Sequence, residues 1–398
     1  MRVALLSRAA HPLHEPGGME RAVYELAQQL QRRGVEVVLF TRPATRAGEF
    51  PGEVVTVDYG PDRGHGRALD RTLRYPRFSA RLAESVADQV RAGRVDVVDA
   101  QGLTALGYGR LRRGDGSLRA PLVMNPQGME EHHARGAKRF ALTRLRALSR
   151  EAAGLADRVI ATDESSRDDV RRLLGVDAAR VVVIPNGVDP EAVRAATPAD
   201  ARRFVHAALP ALGSAAPLFL SVGRLERYKG FGDALEAFRC AHARGALPPD
   251  WAWAVAGEGP ERERLQRRAA GLAGHVHVLG RVDETLLHAL YARAEAFIHA
   301  PRYEGSSLVT LEAMAHALPV VATRAGGLPD KVVEGVTGHL VAAQDIAGLA
   351  RAIERIAASD EARRAMGRRG AALVEERFSW PRVVDRVLAL YQQLLPPR

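Results

Sequence analysis

The sequence predicts an α/β fold of two doubly wound domains, each built on a parallel β-sheet. Three observations predict it. Short, almost wholly apolar runs alternate with amphipathic helical segments, which is typical of strands buried on both faces. One plan, a strand followed by a glycine-bearing loop and a helix, begins near residue 2 and again near residue 217. The length of 398 residues also exceeds what a single core usually supports.

The first domain opens with the apolar run VALLS, the loop RAAHPLHEPGG and the segment MERAVYELAQQLQRRG. Apolar residues recur in that segment at spacings of three and four, which predicts a helix packed on a sheet. Gly34 fits the end of the helix. The later runs VEVVLF, VDVVDA, PLVMN, RVIAT and RVVVIPNG complete the pattern of a first parallel sheet.

The second domain follows a stretch rich in Ala and Pro at about 190–216, which we interpret as a linker. Its strands are predicted in PLFLSVG, WAWAVAGEG, VHVLG, AFIHAP, LPVVAT and GHLVA. We therefore predict Rossmann-like domains at 1–205 and 206–377 and a terminal amphipathic helix at 378–398. Ligands of such sheets bind at the carboxyl ends of the strands, so two facing domains would form one cleft.

The charge and the cysteine content of the chain indicate which binding partners and which cellular location to expect. The net charge is +10 and the pI is near 10.3, but the basic residues are spread along the chain, so we expect no nucleic-acid partner. A basic surface could still attract a phosphorylated substrate or make peripheral contact with an anionic membrane. The single cysteine, Cys240, excludes an internal disulfide. Because the chain starts directly with a strand pattern, we expect a cytoplasmic location.

Two glycine-bearing loops follow predicted strands and carry candidate anion-binding groups. Gly17 and Gly18 directly precede a helix, whose free N–H groups could face a phosphate. Arg224 and Lys229 flank the loop of GRLERYKG, where a planar guanidinium and a compact ammonium together suit a diphosphate. Neither loop has the full glycine fingerprint of a dinucleotide-binding dehydrogenase.

The stretch RYEGSSLVTLEAMA, residues 302–315, places two carboxylates around a predicted helix start. If the helix begins near Ser307, the N–H groups of Ser307, Leu308 and Val309 could bind an anion. Glu312, inside the helix, could accept hydrogen bonds from paired hydroxyls such as those of a ribose. Glu304, before the helix, would lie near the other end of the ligand. A phosphate between a nucleoside and a sugar satisfies both carboxylates.

These motifs together resemble the retaining GT-B glycosyltransferases of family 4. The resemblance rests on PGGMER, IPNGVD, GRLERYKG, the two glutamates separated by seven residues, ALPVVATRAGGLPD and the terminal FSW helix. It implies a GT-B fold in which the C-terminal helix crosses back onto the first domain, with the acceptor bound mainly by the N-terminal domain and the donor by the C-terminal one. It also implies an enzyme that transfers a hexosyl group from a UDP- or GDP-linked sugar to a hydroxyl acceptor by same-face attack. It further implies catalytic roles for Glu304, Arg224 and Lys229.

The resemblance also assigns the ligand contacts. It implies that Arg224 and Lys229 hold the diphosphate, Glu312 the ribose and Glu304 the transferred sugar. The sequence contains no Asp-x-Asp metal motif, so we expect neither a metal nor another cofactor, with cationic side chains stabilising the leaving diphosphate. The arginine-rich segment RTLRYPRFSARL suggests a lipid-linked or anionic acceptor.

The sequence departs from the family where many relatives carry a histidine that reaches the donor sugar. Gln127 occupies that place in MNPQGMEEHH. Glutamine can hydrogen-bond a sugar hydroxyl but cannot carry a proton. His132 could substitute for the missing histidine, and His14, in the first loop, could contact an acceptor.

Several alternatives stay open at this point. Another GT-B enzyme, such as a sugar-nucleotide epimerase or a phosphorylase, would share the same predicted cleft. A hydrolase would use Glu304 and Glu312 as an acid and base that flank one bond. A non-catalytic basic protein would bind nucleic acid or a membrane with strong salt dependence.

Overall fold

The computed structural model describes residues 1–15, 17–60, 67–127, 129, 131–132, 140, 142–213 and 217–396. The chain forms two compact units. Unit 1 comprises Met1–Asn186 with Trp380–Arg398, and unit 2 comprises Gly187–Ser379. Each unit has its own parallel sheet between helices, which confirms the predicted fold class. Across the described residues, no helix combines the length and the apolar character needed to cross a membrane.

Unit 1 is built on a seven-stranded parallel sheet with the strand order β3-β2-β1-β4-β5-β6-β7. The strands are β1 Arg2–Leu6, β2 Glu36–Thr41, β3 Glu53–Thr56, β4 Val97–Gln101, β5 Leu122–Asn125, β6 Arg158–Ala161 and β7 Val181–Val183. The helices are α1 Gly18–Arg32, α2 Arg67–Arg91, α3 Ala105–Gly114, α4 Thr143–Leu155, α5 Glu164–Leu174 and the C-terminal helix Trp380–Leu394.

Alternation along β1 explains how this sheet is covered on both faces. Val3 and Leu5 pack in a cluster with residues of α1 and the C-terminal helix. Ala4 and Leu6 belong to a second cluster that includes residues of α2 and α3. Successive side chains of a strand point to opposite faces, so a continuous apolar run is required here.

Unit 2 is built on a six-stranded parallel sheet with the strand order β10-β9-β8-β11-β12-β13. The strands are β8 Leu218–Val222, β9 Ala252–Ala256, β10 Val276–Gly280, β11 Ala296–His299, β12 Val320–Thr323 and β13 Gly338–Val341. The helices are α6 Pro190–Ala196, α7 Ala201–Ala208, α8 Pro210–Gly213, α9 Phe231–Ala243, α10 Arg262–Ala269, α11 Glu284–Arg293, α12 Leu308–Ala315, α13 Ile346–Ala358 and α14 Asp360–Leu373.

The segment that we interpreted as a linker is helical in unit 2. Each of the helices α6, α7 and α8 buries an apolar residue against the unit 2 sheet, in one cluster. These residues are Val193, Val205 and Leu212. Alanine-rich sequence favours helix, and these helices bury an apolar side. The compact units therefore divide after Asn186, earlier than the predicted position after residue 205.

In both sheets the strand order changes direction at the first strand of the unit. In unit 2 this point lies between β8, which is followed by residues 223–230, and β11, which is followed by residues 300–307. Connections leave such a point on opposite sides of the sheet and open a crevice at the carboxyl ends of the strands. The two loops predicted to bind a diphosphate and a sugar therefore lie beside each other.

Candidate functional site

Glu304 forms the centre of a compact ionic cluster in unit 2. Its carboxylate accepts hydrogen bonds from Lys229 Nζ at 3.0 Å and 2.8 Å and lies 2.6 Å from His299 Nε2. The backbone N–H of Gly305 also donates to it, at 3.1 Å. Only 7 % of the Glu304 side chain is exposed. The structure therefore brings together two of the three residues predicted to be catalytic.

The surroundings of Glu304 keep its carboxylate ionised. Burial acts to raise the pKa, but the hydrogen bond and charge of His299 and the charge and hydrogen bonds of Lys229 outweigh it and lower the pKa to about 2. A buried carboxylate usually carries a large desolvation cost. Here the charge of Lys229 and the hydrogen bonds of Lys229, His299 and the Gly305 N–H offset that cost.

Glycines allow the backbone of the neighbouring loops to approach this cluster. Gly230 has φ +71°, and a Cβ there would lie 1.8 Å from the carbonyl oxygen of Ala300. Gly326 has φ +51°, and a Cβ there would lie 1.8 Å from the carbonyl oxygen of Glu304. A larger residue at either position would push the loop away.

Arg224 lies on the same loop as Lys229 but is exposed. Its guanidinium donates to the hydroxyl of Tyr228 at 3.0 Å. The carbonyl of Tyr228 accepts from the backbone N–H of Arg302 at 2.7 Å, which joins this loop to the segment after β11. Arg302 in turn forms a bidentate pair with Asp233, at 3.0 Å and 2.9 Å. The segment after β11 is thus bonded to the loop after β8 through the main chain and to the first turn of α9 through the Arg302 side chain.

The N-terminus of α12 is close to the predicted position. The helix begins at Leu308, and Ser307 is its N-cap in a left-handed conformation with φ +36°. The Ser307 side chain does not cap the helix and instead bonds Thr310 Oγ1 at 2.8 Å. The Ser306 hydroxyl is buried without a hydrogen-bond partner among the described residues. Polar groups at this helix start, including the N–H groups of Leu308 and Val309, are therefore available to a ligand.

Glu312 lies on α12 and is partly buried. It accepts a hydrogen bond from the Tyr291 hydroxyl at 3.1 Å. The same hydroxyl lies 3.4 Å from the carbonyl oxygen of Val309. Tyr291, on α11, is thus a hydrogen-bond partner of this carboxylate in an apolar helix.

Three further residues that were predicted to contact a ligand, Gly17, His14 and His132, belong to unit 1. Gly17 is the N-cap of α1, which starts at Gly18, and no side chain caps it. His14 is buried, with Nδ1 accepting from the Ala10 N–H at 3.1 Å and Nε2 lying 3.2 Å from the carbonyl oxygen of Pro43. Burial lowers the pKa of His14. His132 follows β5 and is partly buried. Contacts of these residues with a ligand stay predictions.

Gln127 follows β5 in a left-handed conformation with φ +57°. Its Nε2 donates to Gln101 Oε1 at 2.8 Å, and Gln101 Nε2 donates to Asp99 Oδ1 at 2.9 Å. The hydroxyl of Tyr391 donates to Asp99 Oδ2 at 2.7 Å. The side chain that replaces the expected histidine is therefore the end of a buried polar chain.

The described residues contain no group of three or more His, Cys, Asp or Glu side chains arranged to hold a metal ion. Arg224 and Lys229 provide cationic side chains on the loop after β8.

Comparison with known proteins identifies the family. The model described as Glycosyltransferase Family 4 matches residues 16–192, and that of Glycosyl transferases group 1 matches residues 210–372. A D-inositol 3-phosphate glycosyltransferase of Geodermatophilus obscurus is 32% identical over 420 residues, covering 98% of this chain and 89% of the relative. The chain belongs to the GT-B glycosyltransferases of family 4. It is therefore a glycosyltransferase enzyme, as the resemblance predicted.

Other relatives of this glycosyltransferase differ in their named activities. A glycogen synthase of Mycobacterium tuberculosis is 33% identical over 241 residues, covering 59% of this chain and 54% of the relative. Sucrose-phosphate synthase of Thermosynechococcus elongatus has the same fold, with a TM-score of 0.76, 25% identity and coverage of 99% and 98%. Anabaena Alr3699/HepE, solved with UDP-glucose, has a TM-score of 0.73, 20% identity and coverage of 99% and 100%.

Three residues of the candidate site were not predicted from the sequence. His299 ends β11 and precedes Glu304 by five positions, and its place at the carboxyl end of a strand was the available signal. Tyr228 and Tyr291 gave no such signal, because their contacts with Arg224 and Glu312 depend on how the chain folds.

Proposed function

We propose that this glycosyltransferase moves a hexosyl group from a nucleotide-sugar to a hydroxyl acceptor with retention of configuration and without a metal ion. The observation that carries the proposal is the ionised, buried Glu304 between Lys229 and His299, beside the start of α12. A sugar–phosphate bond that breaks here leaves negative charge on a diphosphate and positive charge on a sugar. The cluster supplies groups of both signs.

The leaving diphosphate would be stabilised by Lys229, Arg224 and the N–H groups at the start of α12. Donors that are already oriented in the folded protein need no rearrangement when charge develops, so each is worth a few kcal/mol in the transition state. The buried Ser306 hydroxyl, which has no partner among the described residues, adds a donor to a phosphate or a sugar oxygen. Glu312 would accept from the ribose hydroxyls.

Glu304 would bind the transferred sugar. Its carboxylate stays ionised at neutral pH because its pKa is lowered to about 2, so it accepts hydrogen bonds from sugar hydroxyls and stabilises the positive charge of an oxocarbenium-like sugar. In same-face attack the acceptor oxygen bonds to the anomeric carbon as the bond to the phosphate oxygen breaks. The acceptor proton passes to that phosphate oxygen, so Glu304 need not carry it.

UDP is the first nucleotide to test, because Anabaena Alr3699/HepE, which shares the fold, was solved with UDP-glucose. GDP is the alternative donor nucleotide. For the acceptor we propose a hydroxyl compound that is anionic or lipid-linked, and a D-inositol 3-phosphate is a first candidate because relatives over nearly the whole chain carry that activity in their names. Peripheral contact with a membrane would accompany a lipid-linked acceptor, in the cytoplasm.

Thermal unfolding with UDP, GDP, ADP and their glucose conjugates tests the donor site. A ligand at 100 times its dissociation constant should stabilise the wild type by about 2.7 kcal/mol. The shift should disappear in Arg224→Ala and persist in Arg267→Ala, a control in which an exposed arginine of α10 is removed. If no nucleotide shifts the wild type, or if both variants respond equally, the proposed diphosphate site is wrong.

A further inference from the structure

We propose that Tyr391, Asp99 and Gln101 are positioning residues that fix the side-chain orientation of Gln127, so that its carbonyl oxygen faces the ligand. The inference rests on the proposed function, because it takes Gln127 as the predicted contact of the transferred sugar. It goes further by tying that contact to the C-terminal helix.

The chain of hydrogen bonds has a direction that its chemistry dictates. Burial raises the pKa of Asp99 to about 6, so at neutral pH its carboxylate is ionised and can only accept, as it does from Gln101 Nε2 and from the Tyr391 hydroxyl. The carbonyl oxygen of Gln101 in turn accepts from the NH₂ group of Gln127. This orientation turns the carbonyl oxygen of Gln127 away from Gln101, so that it can accept from a ligand hydroxyl.

The backbone places these side chains so that each reaches the next. Asp99 and Gln101 are two residues apart on β4, so they point to the same face of the strand. Gln101 pairs in register with Asn125 at the end of β5. The Asn125 Oδ1 accepts from the backbone N–H of Gln127 at 3.1 Å, which holds Gln127 in its left-handed turn. Both the backbone and the side chain of Gln127 are therefore fixed.

Because its members are buried, this series of hydrogen bonds favours one orientation of each side chain. Tyr391 is fully buried, and Asp99 and Gln101 are only 1% and 3% exposed, so unpaired polar atoms there would be costly. Gln127, in contrast, is partly exposed and lines a small pocket with Asp99, Gln101, Asn125 and residues of α1 and the C-terminal helix. The series of hydrogen bonds thus connects the buried Tyr391 hydroxyl to the accessible side-chain amide of Gln127.

The first test observes Gln127 directly. Selective ¹⁵N labelling of glutamine, with Gln127 assigned by substitution, reports its side-chain NH₂ resonances in the full chain. We expect Tyr391→Phe to shift these resonances and to speed their exchange with solvent. Tyr108→Phe is the matched control: Tyr108 is also a fully buried tyrosine of unit 1, and its hydroxyl donates to the carbonyl oxygen of Ala120 at 2.9 Å. Unchanged Gln127 resonances in Tyr391→Phe would overturn the proposal, whether or not the enzyme uses UDP-glucose.

The second test is a double-mutant cycle on UDP release from UDP-glucose. Tyr391→Phe should lower kcat/KM about tenfold, within the range of coupling found in one hydrogen-bond network, and Tyr108→Phe should not. In the Gln127→Ala background Tyr391→Phe should have no further effect. UDP affinity should stay unchanged in every variant, because the proposed nucleotide contacts lie in unit 2. An equal effect of Tyr391→Phe in both backgrounds would contradict positioning through Gln127.

A wild type that binds no nucleotide would instead refute the proposed function, while the resonances of Gln127 still decide this inference.

Discussion

Glu304 shows how a buried charge is made tolerable at a site that needs it. The residue combines low exposure with a carboxylate that is ionised at neutral pH. Lys229 and His299 provide the compensating charge and hydrogen bonds, and both are themselves largely buried. Removing one partner of such a pair leaves the other uncompensated, which is why buried pairs are sensitive to substitution.

The lowered pKa of Glu304 predicts how its contribution to stability depends on pH. The folded-state pKa of about 2 lies below the ordinary 4.5, so the contribution is complete above pH 4.5 and is lost as the pH falls toward 2. The shift corresponds to about 3 kcal/mol. At pH 7 we expect the free energy of unfolding of the wild type to exceed that of Glu304→Gln by about 3 kcal/mol. At pH 3.5 this difference should be smaller by about 1 kcal/mol. Denaturant unfolding at both pH values measures it.

A surface carboxylate provides the control for this pH dependence. Glu263→Gln removes an exposed partner of Arg267 on α10, where an ion pair is worth about 1 kcal/mol or less. Its effect should be small at both pH values. If the difference between wild type and Glu304→Gln is the same at pH 7 and pH 3.5, Lys229 and His299 do not lower the pKa of Glu304.

Residue types were easier to predict than residue contacts. Lys229 and Glu304 could be selected because a lysine in an arginine-rich chain and a glutamate before a helix are chemically conspicuous. Their direct pairing joins positions 75 residues apart, and the Asp99–Tyr391 bond joins positions 292 apart. A single sequence has no local pattern that encodes such distances.

At the scale of elements, the apolar runs predicted the strands well because both faces of each sheet are covered. The start of α12 was predicted near Ser307 and lies at Leu308, since the Gly-Ser-Ser stretch interrupts the apolar pattern at this point. The prediction of a linker in the Ala- and Pro-rich stretch after residue 190 was wrong, because this stretch is helical. Its composition suits both a linker and short helices, and only packing against the unit 2 sheet decides between them.

The close approach of two elements at Gly230 makes a second prediction. Gly230→Ala should destabilise unit 2 by about 3 kcal/mol, because it combines a left-handed conformation with a clash against the carbonyl oxygen of Ala300. Gly245→Ala is a matched control: Gly245 has φ +64° but nothing lies within 4 Å of the added Cβ. It should cost only about 1 kcal/mol. Urea unfolding measures the free energy of unfolding of both variants. Equal losses of stability would mean that the loop after β8 moves away from Ala300 without an energetic cost.

At the scale of the whole molecule, the chain enters unit 2 after Asn186 and returns to unit 1 at Trp380. The return segment provides a large apolar face to unit 1. Its buried residues in the C-terminal helix are Trp380, Val383, Val384, Val387, Leu390 and Tyr391. They share one core cluster with residues of β1 and α1, so the first sheet is covered on one side by sequence that lies at the other end of the chain.

This arrangement predicts that the two units differ in their ability to fold as fragments. Each fully buried large side chain contributes about 1.5–3 kcal/mol, so loss of the C-terminal helix removes an amount comparable to the whole stability of a domain. Residues 1–186 alone should therefore show no cooperative thermal transition by circular dichroism, and addition of a peptide of residues 380–398 should restore one. Residues 187–379, which retain a complete sheet and its two core clusters, should unfold cooperatively without any addition. A peptide with Val383, Val387 and Leu390 replaced by Ser should fail to restore the transition. If residues 1–186 unfold cooperatively without the peptide and the peptide does not raise the midpoint, the C-terminal helix does not complete the core of unit 1.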